Sequence, residues 1–230
     1  MRAAPSILST KPLCEEERGL VRSLGWKLRE ESFIEIHRHP FGGPISPDPQ
    51  TLLIFTSENG VILLPSIDLS GAPIACLPGK TLDAVREKFQ EAQVVCTAKN
   101  AKDLARAIIA DGRFSKAIFF CALDHRPELP QMLREAGIVL TEVPVYSSTG
   151  TPMVVDTAFD AILFFSPSAV DSFFAINTLP PGAVCFAIGE TTAGAVRGYT
   201  DRRVVISPFP TQKDLLACVR FYYDNQQCYE

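Results

Sequence analysis

Apolar and polar positions along the chain fall into short unbroken apolar runs that alternate with amphipathic stretches. Leu52–Phe55, Pro73–Leu77, Lys116–Ala122, Ala161–Phe165 and Ala183–Ile188 carry almost no internal polar residue. That is the pattern of strands covered on both faces, as in a parallel sheet. Ala101–Ala110, Pro127–Ala136 and Gln212–Tyr223 repeat apolar residues at helical spacing instead. So do Cys14–Leu24, closed by Gly25, and Leu82–Phe89. Shorter extended pieces are expected at Ser6–Thr10, Trp26–Glu31, Phe33–His37, Gln93–Cys96 and Arg203–Ile206, and a long one at Ile138–Tyr146. Strands alternating with helices of about ten residues predict parallel α/β sheets.

Asp160–Val196 holds two copies of one device: a buried strand, then small hydroxylated residues, then a helix. Ser166-Pro167-Ser168 and Gly189-Glu190-Thr191-Thr192 are the two openings. Ser caps a helix and Pro suits its first position. Each copy aims helix N–H groups out of the carboxyl edge of a sheet, where anions bind. An earlier stretch runs parallel. Ser57–Val61 matches Ser166–Val170, Gly79–Val85 matches Gly189–Val196, and Lys102–Leu104 matches Lys213–Leu215, at offsets of 109, 111 and 111 residues. The common offset points to two related half-domains.

Two breaks cut the chain. One is His39–Pro44 with Pro47 and Pro49; the other is Ser147–Asp156. The first piece is too small to form its own core. It is expected to pack with the last, giving a discontinuous α/β domain of residues 1–36 and 149–230 and an inserted one of 40–143. Linker segments near 33–39 and 141–148 would cross between them, leaving a cleft.

Composition narrows the partners. Of 230 residues, 47% are hydrophobic and 21% charged, as in a globular protein, and the net charge of −4 argues against a nucleic-acid binder. Seven cysteines without any C-x-x-C spacing read as reduced thiols, not as a disulfide framework or a zinc site. No signal-peptide core or membrane-length apolar run is present, so a cytoplasmic protein is expected. Neither a Walker A, a G-x-G-x-x-G nor a G-x-S-x-G motif occurs, which disfavours ATP, dinucleotides and a serine nucleophile. His37 and His39 lie on one strand face but lack a third metal ligand. His125, between Asp124 and Arg126, reads as part of a solvated loop far from them.

Taken together, five places resemble the uroporphyrinogen-III synthase family over nearly the whole chain. They are Phe55–Val61, Leu140–Ser147 with its Val-x-x-Tyr-like end, Phe165–Val170, Ala187–Ala193, and Pro210-Thr211 before the last helix. The chain departs from the family pattern at Leu77–Thr81, where Pro78 removes an N–H donor, and at Ser147-Ser148 after Tyr146. Because of Pro78, more of the binding is expected around Gly189 than around Gly79. The resemblance implies two α/β domains joined by a two-stranded linker. It implies a lyase of haem biosynthesis acting on hydroxymethylbilane, a linear tetrapyrrole with eight carboxylates. Water leaves, the far pyrrole is attacked at its substituted carbon, and a spiro intermediate recloses with the last ring inverted. No metal and no other cofactor is implied, and a monomer is expected. Such a reaction needs carboxylate donors and an acid. Tyr146 is the candidate acid by family match. Ser57, Asn59, Lys80, Thr81, Ser166, Ser168, Gly189, Thr191 and Thr192 are the candidate substrate-binding residues, with Lys99 as an additional charge. For each Ser and Thr, a plain helix cap and an anion donor are the same geometry, and sequence does not separate them. A non-catalytic tetrapyrrole-binding relative and a two-domain small-molecule receptor remain as alternatives.

Overall fold

The computed structural model describes residues 4–40, 50–65, 69, 71–91 and 93–226. The Pro/Gly-rich residues 41–49, Cys228 and the end of the chain lie outside them. The chain divides into two compact units, Met1–Glu35 with Thr149–Glu230, and Ile36–Ser148.

The contiguous unit is built from β4 (Thr51–Phe55), α2 (Glu58–Ile62), β5 (Pro73–Cys76), α3 (Lys80–Lys88), β6 (Gln93–Thr97), α4 (Ala101–Asp111), β7 (Lys116–Ala122), α5 (Glu128–Glu135) and β8 (Val139–Gly150). Its sheet runs β6-β5-β4-β7-β8, with β3 (Ile34–Arg38) added beyond β8. The pairs from β6 to β8 are parallel. β4 is buried at every residue, which is why it reads as an unbroken apolar run. Alternate residues feed two cores. Leu53, Phe55, Ile74 and Phe120 pack with Val61 and Val85 of α2 and α3. Leu52, Ile54, Phe119 and Cys121 pack with Leu104 of α4 and Leu133 of α5.

The discontinuous unit contains β1 (Ser6–Ser9), α1 (Glu15–Ser23), β2 (Lys27–Glu30), β9 (Ala161–Phe164), α6 (Pro167–Phe174), β10 (Val184–Ala187), α7 (Glu190–Arg197), β11 (Val204–Ile206) and α8 (Gln212–Gln226). Its sheet runs β11-β10-β9-β1-β2, all parallel. Strand for strand this is the order of the other unit, with one change of connectivity. The two strands that come last in the contiguous unit come first here. The N-terminal segment therefore supplies β1 to the middle of the sheet, between β9 and β2.

The repeat seen in the sequence extends to its caps. Asn100 Oδ1 accepts from the Asp103 N–H at the start of α4, and Thr211 Oγ1 accepts from the Asp214 N–H at the start of α8. The Asp103 and Asp214 carboxylates each accept a further bond from the cap side chain, Asn100 and Thr211 respectively. The Lys-Asp-Leu match is thus a shared helix start.

Three boundaries differ from expectation. β8 runs on through Ser147–Gly150, residues whose polarity suggested a break. They stay extended because β3 pairs there: the His39 N–H donates to Val145 O and the Thr151 N–H to Phe33 O, partners that run in opposite directions. α3 starts at Lys80, two residues before its apolar face begins. α8 continues to Gln226, beyond the helical repeat read over Gln212–Tyr223. Among the described residues no helix is long and apolar enough to cross a membrane.

Candidate active-site edge

The sheet order reverses direction at β4/β7 in one unit and at β9/β1 in the other. In open α/β sheets ligands collect outside the carboxyl ends of the strands at such switch points. The candidate residues lie at these ends, and each unit is described in turn.

In the contiguous unit, Ser57 follows β4 and caps α2, its Oγ accepting from the Asn59 N–H at 3.2 Å. α2 has only five residues, and Lys88 Nζ closes its far end by donating to the carbonyls of Val61, Ile62 and Leu64. Gly60 lets α2 approach β7 closely, since a Cβ there would meet Phe120 O at 3.0 Å. Across the switch point, β7 and β8 shift register between Cys121 and Ala122, so Ala122 pairs with Tyr146. The bulge re-aims the end of β8. Tyr146 is buried, and its carbonyl accepts from the Leu123 N–H at 2.7 Å. Burial raises the phenol's pKa most, the Asp124 carboxylate and Cys121 add to this, and a side-chain hydrogen bond with Ser57 opposes it. Ser57 thus caps α2 and also lies against the Tyr146 phenol. Sequence reasoning named both residues and assigned them separate roles; the structure joins them. Next along the strand, Ser147 Oγ lies 2.8 Å from His39 Nε2.

Gly79 precedes α3 with φ 71° and ψ −137° and supplies no side-chain cap. Lys80 is exposed there, whereas Thr81 is buried. Lys99 is engaged by Asp103 at 3.7 Å.

In the discontinuous unit, Ser166 caps α6 by accepting from the Ala169 N–H at 3.1 Å. Ser168 is half-buried in the first turn. Beside Ser166, Thr10 Oγ1 at the end of β1 donates to Leu163 O at 2.7 Å. α7 opens at Gly189 without a side-chain cap, and Thr191 is exposed. Thr192 beside it is buried, 3% exposed. A groove of about 490 Å³ opens against this turn, lined by Ile188, Gly189, Glu190, Ile206, Ser207, Pro208 and Pro210. Glu190 and Ser207 were missed in the sequence. Nothing in a β11-to-α8 turn marks its residues until the sheet order puts β11 beside β10.

His125 corrects the sequence reading. It is not a solvated loop residue: Nε2 lies 2.5 Å from Glu142 Oε2 and its ring packs edge-on against Phe119 at 5.3 Å.

A family model described as Uroporphyrinogen-III synthase HemD matches residues 15–217. The chain belongs to the uroporphyrinogen-III synthase family. Its members are hydro-lyases of tetrapyrrole biosynthesis, the assignment that this chain takes from the family. Two solved structures share the fold. A uroporphyrinogen-III synthetase from Helicobacter pylori 26695 aligns with TM-score 0.69 at 16% identity, covering 95% of this chain and 99% of its own. A mutant uroporphyrinogen III synthase from the extremely thermophilic bacterium Thermus thermophilus aligns with TM-score 0.63 at 17% identity, covering 97% and 99%. No curated protein matches significantly. Membership of the synthase family does not by itself name the side chains that act, so their roles rest on geometry.

Proposed function

We propose that this chain cyclises hydroxymethylbilane to uroporphyrinogen III, with Tyr146 as the acid that releases water. The observation that supports this is the buried Tyr146 phenol, set beside Ser57 at the switch point of the sheet. The phenol is held neutral by burial, as a proton donor at neutral pH must be.

The C–O bond of the terminal hydroxymethyl group breaks, and the oxygen takes the Tyr146 proton and leaves as water. The azafulvene carbon then accepts the substituted carbon of the far pyrrole. The spiro intermediate fragments and recloses at the other, unsubstituted α-carbon of the same ring, across its nitrogen. The ring proton lost on rearomatisation restores the phenol, so the net loss is water alone. The substrate supplies most of this reactivity, and the protein's task is to hold the ends together against the simpler closure.

Eight carboxylates require many donors. α3 and α7 begin at glycines and carry no side-chain cap, so their first-turn N–H groups are the open ones. Ser166 and Ser168 add hydroxyl donors at α6. Asn59, Lys80, Gly189 and Thr191 complete the set, while Thr81 and Thr192 contribute through the backbone. Each charge-assisted bond is worth about 1.5–3 kcal/mol. The preference for α7 over α3 that Pro78 suggested weakens: Lys80 brings positive charge to α3, whereas Glu190 brings negative charge to α7.

The test is turnover of freshly made hydroxymethylbilane with isomer analysis of the product. The type III isomer should form, and Tyr146→Phe should lower the rate at least tenfold while the circular dichroism spectrum holds. Only the uninverted isomer, formed at the spontaneous rate, would sink the cyclase reading. An unchanged rate in Tyr146→Phe would sink the acid.

A further inference from the structure

Three potential ligand atoms converge on the opposite side of the β7–β8 pair from Val143 and Val145. Cys121 is the penultimate residue of β7, His125 rides the loop after it, and Glu142 lies on β8. One donor atom of each lies within 4.8 Å of the others. A tetrahedral ion bound by sulfur at roughly 2.3 Å and by nitrogen and oxygen at roughly 2.0 Å sets its ligands roughly 3.3–3.8 Å apart. The side chains need only small rotations to reach that spacing.

The surroundings are arranged as metal sites require. His125 Nδ1 lies 3.0 Å from Arg126 O, an interaction that turns Nε2 toward the other two groups. Glu142 divides its oxygens: Oε1 pairs with Arg134 of α5, and Oε2 faces Nε2. Arg134 thus fixes the carboxylate from behind. Cys121 is buried against the α4–α5 core, whereas the His125 and Glu142 side chains retain 19% and 22% exposure and leave a way in.

We propose that Cys121, His125 and Glu142 bind one borderline-soft divalent transition-metal ion of the Zn²⁺ class, completed by a solvent ligand. Thiolate and imidazole favour this class over Mg²⁺ or Ca²⁺. Binding displaces the Cys121 S–H proton to solvent. Burial pushes the free thiol up to about 12, so it stays protonated until a cation replaces the proton. The bound ion would tie the 122–127 loop to β8, and the Leu123 N–H of that loop holds the Tyr146 carbonyl. Spacing did not suggest this site, because its ligands come from two strands and a loop. The ion site does not depend on the cyclisation.

Cobalt titration of the metal-free full chain under anaerobic conditions tests it. One Co²⁺ per chain should bind with a thiolate-to-cobalt charge-transfer band, release of about one proton from the thiol, and displacement by Zn²⁺. Cys121→Ser should abolish the band. His125→Ala and Glu142→Gln should each weaken binding at least tenfold with circular dichroism unchanged. Cys14→Ser, at an exposed thiol, should change nothing. Absence of the band in the unaltered chain overturns the site, as does its persistence in Cys121→Ser or its loss in Cys14→Ser. If Cys121→Ser does not fold, undiminished affinity in His125→Ala overturns it alone.

Discussion

Ser57 serves two partners with one hydroxyl, capping α2 and bonding Tyr146. Ser57→Ala should therefore have two separable effects. Loss of the cap costs about 1 kcal/mol, seen as a lower urea midpoint. Loss of the Ser57 contact removes the one influence that lowers the Tyr146 pKa, so the phenol should titrate higher still. Difference titration of tyrosinate absorbance, with Tyr146→Phe as the blank, checks this. A Tyr146 titration that did not move up would show that Ser57 does not hold the phenol. Both residues were legible in the sequence, Ser57 as a cap and Tyr146 by family match. Their contact was not, because it depends on a bulge at Cys121/Ala122 and on the pairing of β8 with β7. Neither leaves a local signal. His125 was misread for a related reason: its partner lies on another strand, and a polar loop looks solvated until that strand is placed.

At the scale of elements, the two uncapped helices differ in what their glycines do. Gly79 sits at φ 71° with ψ −137°, a region closed to other residues. Gly189 sits at φ 179° in ordinary extended backbone, with nothing within 4 Å of an added Cβ. Gly79→Ala should cost about 1–3 kcal/mol of stability. Gly189→Ala should leave the urea midpoint in place and raise KM, because the methyl group intrudes on the approach to the α7 N–H groups. Equal stability losses in the two variants would refute the distinction. The strands and helices themselves were readable, since buried parallel strands are unbroken apolar runs and α2, α4, α6 and α8 start at Ser, Asn or Thr. The end of β8 was not, because Ser147–Gly150 owe their extension to β3 and not to their own side chains.

At the scale of the whole molecule, each unit has its own pair of cores and its own sheet. Residues 36–148 form one uninterrupted stretch, so that segment expressed alone should unfold cooperatively in urea. Residues 149–230 alone should not, since they lack the β1 and β2 strands. A non-cooperative fragment 36–148 would show that its cores are insufficient. Alkali should loosen the whole chain. Burial pushes the Cys76 thiol up to about 11, and those of Cys121 and Cys185 up to about 12, from an ordinary 9.0. The folded state favours the neutral thiol, so this stability is complete below about pH 9 and is lost as pH rises through the folded values. The urea midpoint should fall between about pH 9 and pH 11, and less steeply in Cys185→Ala. A midpoint flat across that range would mean the thiols do not stay neutral in the folded state.

The borrowed strand β1 also imposes an order in time. Leu8 pairs with Ile162, 154 residues further along. At 5–20 residues per second a ribosome needs roughly 8–30 s to make that stretch. Throughout, Ile7 and Leu8 are apolar residues with β9, α6 and α8, which help bury them, not yet made. The inserted unit is finished first, while the opening segment waits for a sheet in which it will become an interior strand. Moving residues 1–32 to the carboxyl end, by circular permutation, would abolish that wait and leave every strand whole with its neighbours unchanged.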